Sequence, residues 1–393
     1  MPPAVLPPVR ESAAELVHEL FLRQARLHPQ ATAIECAEQR WSYRELERAS
    51  DTIMAGLHDR GIAPGATLAV LARRTPGLVA ALLAVLRMGC AFAILDSAYP
   101  PRRLRQCVDM LRPGGIIVCE EQEVPDELVC AAQESECFLL HLDQDGLRAA
   151  SAGVPAGAAT ADDVAYHLFT SGTTGVPKCV SVSHRPLVHF LHWQAERFEL
   201  DRNDRVTVLS GLGHDPVLRD IFLPLSIGAT LLLPDPAADR DAKALFDWMA
   251  ASRPTLCHLT PQIGHLILGG MRKQQTLPTL RYLFWGGDIL TGHHVAQFAA
   301  AATAARSVNF FGATETPQAF AYFAIEQDLP WRLVPIGQAI PGVELYIENG
   351  FGERAAYGAV SYTNLRAHET VLDLVCRHLL EKKKTTLTQL HCT

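Results

Sequence analysis

The stretch Phe169 to His184 reads FTSGTTGVPKCVSVSH, and the character of the chain turns on it. Val164 to Phe169 before it and Cys179 to Ser183 in its second half are short apolar runs that read as two strands. Between them lie Thr170, Ser171, Gly172, Thr173, Thr174, Gly175 and Lys178. Glycines let successive backbone N–H groups turn to one side, and such concavities bind phosphate oxygens. The hydroxyls add donors, and lysine adds a point charge suited to phosphate. Gly175 is not followed by Lys-Ser or Lys-Thr in the Walker register, so this is a phosphate loop of another kind. The same composition without a lysine and flanking strands would read as a surface turn.

Outward from the loop, strand-like runs alternate with helical periods. On the N-terminal side, Ser42 with Glu45 three residues on forms a capping box that opens a helix, closed near Gly61. Thr67 to Leu71, Ala91 to Leu95 and Ile116 to Cys119 read as strands, Pro76 to Met88 and Pro101 to Leu111 as helices. On the C-terminal side, helices are expected at Pro186 to Arg197, Val217 to Ile227 and Ala242 to Ala251. Strands are expected at Arg205 to Ser210, Ala229 to Leu233, Thr255 to Leu259, Leu280 to Trp285 and Ser307 to Phe311. The alternation predicts an α/β fold of two packed α/β subdomains with mainly parallel sheets. The expected division is 15–150 and 161–345, with an Ala/Gly/Ser/Pro connector between them. Residues 361–393 read as an unrelated tail with a helical pattern at Val371, Leu372, Leu374, Val375, Leu379 and Leu380.

A chain of 393 residues exceeds what one core usually supports. A formal charge of -7 offers no basic stripe for nucleic acid. No apolar run reaches the ~20 residues of a membrane span, and no N-terminal segment has the layout of a secretory signal. The chain therefore reads as cytoplasmic, without nucleic-acid or membrane partners. Its ten cysteines are scattered without a C-x-x-C pair, which reads as buried free thiols. His189 and His192 share a helix face, but no carboxylate or thiolate set stands beside them to complete a zinc site.

The loop resembles the signature segment of adenylate-forming enzymes: acyl-CoA ligases, luciferases and the adenylation domains of nonribosomal peptide synthetases. Leu86 to Pro100 (LRMGCAFAILDSAYP), Asn309 to Thr316 (NFFGATET) and Pro335 to Val343 (PIGQAIPGV) are similar to further landmarks of that family. The resemblance implies the large N-terminal domain of such an enzyme, using ATP and Mg²⁺. An amino acid carboxylate would attack the α-phosphate, pyrophosphate would leave, and the aminoacyl group would load the phosphopantetheine of a carrier protein. By resemblance, Thr170, Lys178 and Glu315 are the catalytic residues, and Thr170 to Lys178 cover the phosphates. Gly286, Gly287 and Asp288 would line the base and the acyl pocket. Phe311 would stack on adenine with Gly312 and Thr314 beside it, and Glu315 would hold the Mg²⁺. Cys179 stands where the family usually has Gly, and Ala313 replaces a common Pro.

Asp215, in the stretch GLGHDPVLRDIF, opens a predicted helix and by position alone reads as an N-cap. By resemblance to amino-acid-activating members it would instead meet the substrate α-ammonium. The same resemblance lines the side-chain pocket with Asp215, Pro216, Arg219, His258, Leu283, Trp285, Phe310, Gln318 and Ala319. The wording of these motifs is similar to α-aminoadipate reductases, whose substrate side chain ends in a carboxylate. Arg219 either faces such a carboxylate or turns outward to pair with Asp220 or another protein acid. Gln318 stands where that group is expected to carry a second Arg, and Trp285 is bulkier than its counterpart. A shallower, less cationic pocket for glutamate or aminoadipate is the expectation. After Val360 no ribose-binding Tyr-x-Thr-Gly-Asp stretch, hinge motif or C-terminal small domain with its lysine follows, so the chain reads as an incomplete, inactive fragment. A ligand-binding pseudoenzyme of the same fold and an acyl-CoA ligase are the alternatives, the latter disfavoured by Asp215.

Overall fold

Apolar runs bounded by caps and turns build two sheets with helices packed between and around them. The computed structural model describes residues 15–37, 39–119, 124–143, 147, 154–170, 178–235, 238, 241–272, 275–314, 316–326 and 333–348, with short strands at 365–367, 375–376 and 389–392. The strands in chain order are β1 Thr32–Cys36, β2 Gln39–Ser42, β3 Thr67–Ala72, β4 Ala91–Asp96, β5 Gly115–Cys119, β6 Phe138–Leu142, β7 Val164–Thr170 and β8 Lys178–Ser183. They continue as β9 Arg205–Thr207, β10 Thr230–Leu233, β11 Leu256–Leu259, β12 Tyr282–Trp285, β13 Arg306–Ala313, β14 Thr316–Ile325 and β15 Gln338–Ala339. The helices are α1 Val17–Leu27, α2 Tyr43–His58, α3 Pro76–Arg87, α4 Pro101–Leu111 and α5 Asp126–Glu134, then α6 His184–Arg197, α7 Pro216–Ile227, α8 Ala242–Ser252, α9 Pro261–Gly269 and α10 Gly292–Ala301.

The six-stranded sheet runs β6-β5-β3-β4-β7-β8 and is parallel except at β8, which returns from β7 as a hairpin. The nine-stranded sheet runs β15-β14-β13-β12-β11-β9-β10-β1-β2, parallel from β13 to β1 and antiparallel at both edges. Both sheets are thus mostly parallel, as expected of strands buried on both faces. Their strands interleave along the chain. β1 and β2 join the nine-stranded sheet, where Ile34 pairs with Leu231, while β7 and β8 join the six-stranded one.

Local chemistry explains the element boundaries. The Ser42 hydroxyl accepts from the Glu45 N–H at 3.2 Å, and the Glu45 carboxylate accepts from the Ser42 N–H at 2.7 Å. This capping box opens α2. Thr75 caps α3 with Pro76 at its first position, and all twelve residues of α3 are buried. A helix that is apolar all round must lie in the core. α3 shares one continuous core with α1, α2, α6 and α7 and with the inner faces of both sheets. The connector is pinned to its C-terminal end. The Gly157 N–H donates to the Arg87 carbonyl at 2.9 Å, and a Cβ built on Gly157 would stand 1.9 Å from the Met88 carbonyl oxygen. Only a glycine permits that approach.

The helical period read around Val375 is not realised there, since Val375–Cys376 is a short strand paired with Leu365–Ala367. The rest of that pattern lies outside the described residues. Buried Cys90, Cys107, Cys137 and Cys257 are free thiols, as are half-buried Cys179 and exposed Cys130. His189 and His192 make separate contacts, with the Pro341 carbonyl at 2.8 Å and the Glu15 carboxylate at 2.7 Å. Among the described residues no helix is long and apolar enough to cross a membrane.

Candidate active site

Of the residues singled out in the sequence, Thr170, Gly286 to Asp288 and Phe311 lie at or just past the C-terminal ends of β7, β12 and β13, where open α/β sheets bind ligands. β7 and β8 set Thr170 opposite Lys178 at the mouth of their hairpin, Thr170 half-buried and Lys178 exposed. Ser171, Gly172, Thr173, Thr174, Gly175 and Glu315 lie outside the described residues. Gly286, Gly287 and Asp288 follow β12 directly, and the Gly286 N–H donates to the Leu259 carbonyl at 2.9 Å. The Asp288 carboxylate accepts from the Ile289 N–H at 2.7 Å and from the Gln262 amide. Phe311, near the end of β13, meets Phe320 edge-on at 5.3 Å and 77° and is only half-buried. That contact leaves ring surface for a planar base. Gly312 beside it is exposed, and a Cβ there would meet the Gln318 carbonyl oxygen at 2.1 Å. Thr314 follows, half-buried.

Asp215 precedes α7 but does not cap it with its side chain. Its carboxylate accepts from the Gln318 N–H at 3.1 Å, and the Gln318 amide returns to the Asp215 carbonyl at 3.1 Å. Gln318 holds φ at +70°, a left-handed backbone that non-glycine residues rarely adopt. Strain of that kind gathers at functional sites, and here it turns the N–H onto the carboxylate. Asp215 is 8% exposed, and burial raises its pKa, opposed by the Arg219 charge and the Gln318 hydrogen bond. The phenol of fully buried Tyr166, on β7 of the other sheet, lies next to this pair, so the two sheets meet here. Pro216 is half-buried at the first turn of α7, and Ala319 packs in the core beside Phe310.

Arg219 stands one turn along α7 from Asp215 and is 4% exposed, so it does not turn outward. Its guanidinium lies over the rings of Phe190 and Phe310, 5.8 and 5.4 Å from their centroids. Aromatic faces stabilise a desolvated guanidinium by about 0.5 to 2 kcal/mol, well short of the cost of leaving a buried charge unmatched. Burial lowers its pKa, which Asp215 and Asp220 oppose at longer range. It makes no ion pair among the described residues.

Strand alternation corrects part of the expected pocket. Side chains along a strand alternate between faces, and Tyr282 and Phe284 face α6 and α7 while Leu283 and Trp285 face α8 to α10. The Trp285 ring packs on Phe298 and its indole N–H donates to the Ser307 hydroxyl at 3.1 Å. Neither Leu283 nor Trp285 stands beside Arg219. The walls that β12 offers there are Phe284, stacked on Phe310 at 4.9 Å, and Gly286. A Cβ on Gly286 would lie 3.6 Å from Arg219 Nη2. Phe284, Phe190 and Gln194 were not singled out in the sequence. The signal was parity, since Phe284 pairs in register with His258 across β11 and β12.

His258 lies behind Arg219, 1% exposed and stacked on Phe284. Its Nδ1 is 2.8 Å from Asp220 Oδ1, although the ring N–H points off the line to the oxygen. Its Nε2 is 2.8 Å from the Gln194 amide nitrogen. Burial holds the imidazole neutral, opposed by Asp220 and reinforced by the Arg219 charge. A neutral ring with Nε2 accepting from the Gln194 amide satisfies that contact and leaves Nδ1 beside the Asp220 carboxylate without a formed hydrogen bond. Asp220 also accepts from the Ser210 N–H at 3.1 Å. An open cavity of about 390 Å³ lies at the opposite, N-terminal ends of β12 and β13, between Arg197, Phe198, Tyr282 and Arg306. Its wall Phe198 packs against Phe284 and Phe310, 4.9 and 6.2 Å between ring centroids.

Two mostly parallel sheets, joined along one continuous core, are the fold of an adenylate-forming domain. The chain belongs to the AMP-binding enzyme family, whose model matches residues 21–360. It is 31% identical over 364 residues to an L-2-aminoadipate reductase of Schizosaccharomyces pombe, covering 83% of this chain and 25% of that protein. The chain therefore spans about a quarter of the length of that relative. The nonribosomal peptide synthetase FmoA3, in its α-methyl-L-serine-AMP-bound form, superposes with a TM-score of 0.79 at 28% identity over 90% of this chain and 39% of that one. PA1221, a nonribosomal peptide synthetase protein containing adenylation and peptidyl carrier domains, superposes with a TM-score of 0.77 at 25% identity, covering 88% and 58% of the two chains.

Proposed function

We propose that this chain is the substrate- and ATP-binding core that adenylates an amino acid with an anionic side chain, for loading as a thioester on the phosphopantetheine of a carrier protein. The observation that carries this reading is the pair of buried charges on one helix. Asp215, turned away from capping duty, offers a carboxylate to an α-ammonium. Arg219, four residues or about 6 Å further along the axis, holds a cation that makes no ion pair among the described residues. A buried unpaired guanidinium is costly, and a substrate carboxylate removes that cost.

The chemistry follows from position and charge. The substrate carboxylate oxygen forms a bond to the α-phosphorus of ATP as the bond to the bridging oxygen breaks, and pyrophosphate departs. Lys178, exposed at the hairpin mouth, offsets phosphate charge, and the free surface of Phe311 takes the adenine. Thr170 donates at the same mouth. Gly286, Gly287 and Asp288 border the base and the acyl group, with Gly312 and Thr314 beside them. Glu315 is the residue assigned to Mg²⁺, which would supply Lewis-acid charge at the phosphates when bound. Relatives that bear carrier domains or reduce aminoadipate support the class of partner and substrate.

The test is equilibrium binding of L-glutamate, L-2-aminoadipate and L-norleucine in the presence of a non-hydrolysable ATP analogue. Acidic ligands should bind at least about tenfold more tightly than norleucine, and Arg219→Leu should erase the difference. Preference for norleucine, or indifference to Arg219→Leu, would overturn the reading.

A further inference from the structure

Asp220, the next residue in the chain and fully buried, is with Asp215 one of the two acids whose charge reaches Arg219. Yet the Asp220 and Arg219 side chains do not meet. Neighbouring residues on a helix point about 100° apart, so Asp220 faces β11 and the Ser210 backbone while Arg219 faces Phe190 and Phe310. A long, flexible guanidinium could still swing back, because two opposite charges in a dry interior attract strongly. His258 lies near both. Its ring is near enough to both to feel each charge, it lies 2.8 Å from Asp220, and it is stacked beside the same Phe310 that carries Arg219. Gln194 holds the far edge of the ring at 2.8 Å and is itself fully buried.

We propose that His258 is a positioning residue, a spacer held by Gln194 that shields Asp220 and keeps Arg219 forward for the substrate's side-chain anion. The imidazole gives Asp220 a polar neighbour without a formal charge at 2.8 Å, so it fills the space in front of the carboxylate while Arg219 keeps its charge for the ligand. This rests on the acidic-substrate reading above and adds to it how the cation is kept available. By the family resemblance His258 was expected as a pocket wall. Its contacts make it a prop behind the wall.

The experiment is a double-mutant cycle on the full chain, read as the ratio of affinities for L-2-aminoadipate and L-norleucine with a non-hydrolysable ATP analogue bound. Thermal melts of each variant register folding. His258→Ala opens space beside both charges, and Arg219 should retract onto Asp220, lowering the acid-over-neutral ratio about tenfold or more. Adding Asp220→Asn removes the trap, so the double variant should recover most of the wild-type ratio. Asp220→Asn alone should keep or raise that ratio. A merely structural role for His258 would make the double variant worse than either single one, and that result would overturn the proposal. Should His258→Ala fail to fold, a fall in the ratio on Asp220→Asn alone overturns it equally. If the wild-type chain shows no acidic preference, the substrate reading itself fails. If it shows one and the cycle is additive, only the spacer is lost.

Discussion

Acidification should loosen this protein through two histidines that the fold keeps neutral. His18 on α1 and His184 at the start of α6 meet edge to face, their ring centroids 5.9 Å apart at 72°. The Val17 N–H donates to His184 Nδ1 at 3.2 Å, which requires that nitrogen to be unprotonated. Burial, with the nearby His184 and Arg87 charges, lowers the His18 pKa from 6.5 to about 3. Burial lowers that of His184 to about 4, which Asp163 opposes in part. Between the folded and unfolded values the unfolded chain binds protons that the folded chain refuses, so stability is full above 6.5 and falls as the pH drops through this window. At about pH 5, one and a half units below the unfolded value and at about 1.4 kcal/mol per unit, each histidine costs about 2 kcal/mol. The pair costs about 4 kcal/mol by the same reckoning, a large part of a typical folding free energy. His18 is the cleaner site to perturb, because its Nδ1 has no hydrogen-bond partner to lose. Urea denaturation at about pH 7.5 and pH 5 should show His18→Phe recovering about 2 kcal/mol of the acid-induced loss. A variant that loses as much stability on acidification as the wild type would refute the reasoning.

Three further outcomes are expected. Trp285→Phe should cost about 1 to 3 kcal/mol through the lost Ser307 hydrogen bond and ring volume, and leave the amino acid preference unchanged. A changed preference in the ligand panel would return Trp285 to the pocket. Lys178→Ala combined with Glu315→Ala should weaken ATP–Mg²⁺ binding by about tenfold or more in titration calorimetry, and unchanged affinity would withdraw both assignments. Gly157→Ala drives a methyl group into the Met88 carbonyl and should lower stability by about 2 to 4 kcal/mol in chemical denaturation. A loss under about 0.5 kcal/mol would show that the connector is free to move away.

Fully buried strands announce themselves by unbroken apolar runs, and for that reason β3, β4 and β5 were legible to within a residue or so. β1 and β2 are short, half-wet strands without such a run and went unread, and β14 went unread although Ala319 to Ile325 is an apolar run. At the site, Asp215, Arg219 and His258 came out through the family resemblance, and by position alone Asp215 read as an N-cap. Which face each residue of β12 occupies was not legible from motif order. Trp285 and Phe284 are both large and apolar, and only the packing of the strand against α6 and α7 separates them. The partner of His258 was likewise invisible, since Gln194 lies 64 positions away and nothing in its neighbourhood marks it.

The pairing of β1 with β10 has a consequence for how the chain is made. Ile34 finds its register partner only at Leu231, so nearly two hundred residues must emerge before that edge of the nine-stranded sheet can close. At a ribosome's pace of about 5 to 20 residues per second, the β1–β2 hairpin waits on the order of 10 to 40 s. A two-stranded hairpin is marginally stable by itself in water, so through that interval it offers an unpaired apolar edge. The six-stranded sheet reaches β8 earlier in synthesis and can close first around α3, leaving the early hairpin as a late joiner. Substitutions in Thr32–Cys36 should therefore lower the yield of folded protein during synthesis more than they weaken the finished molecule.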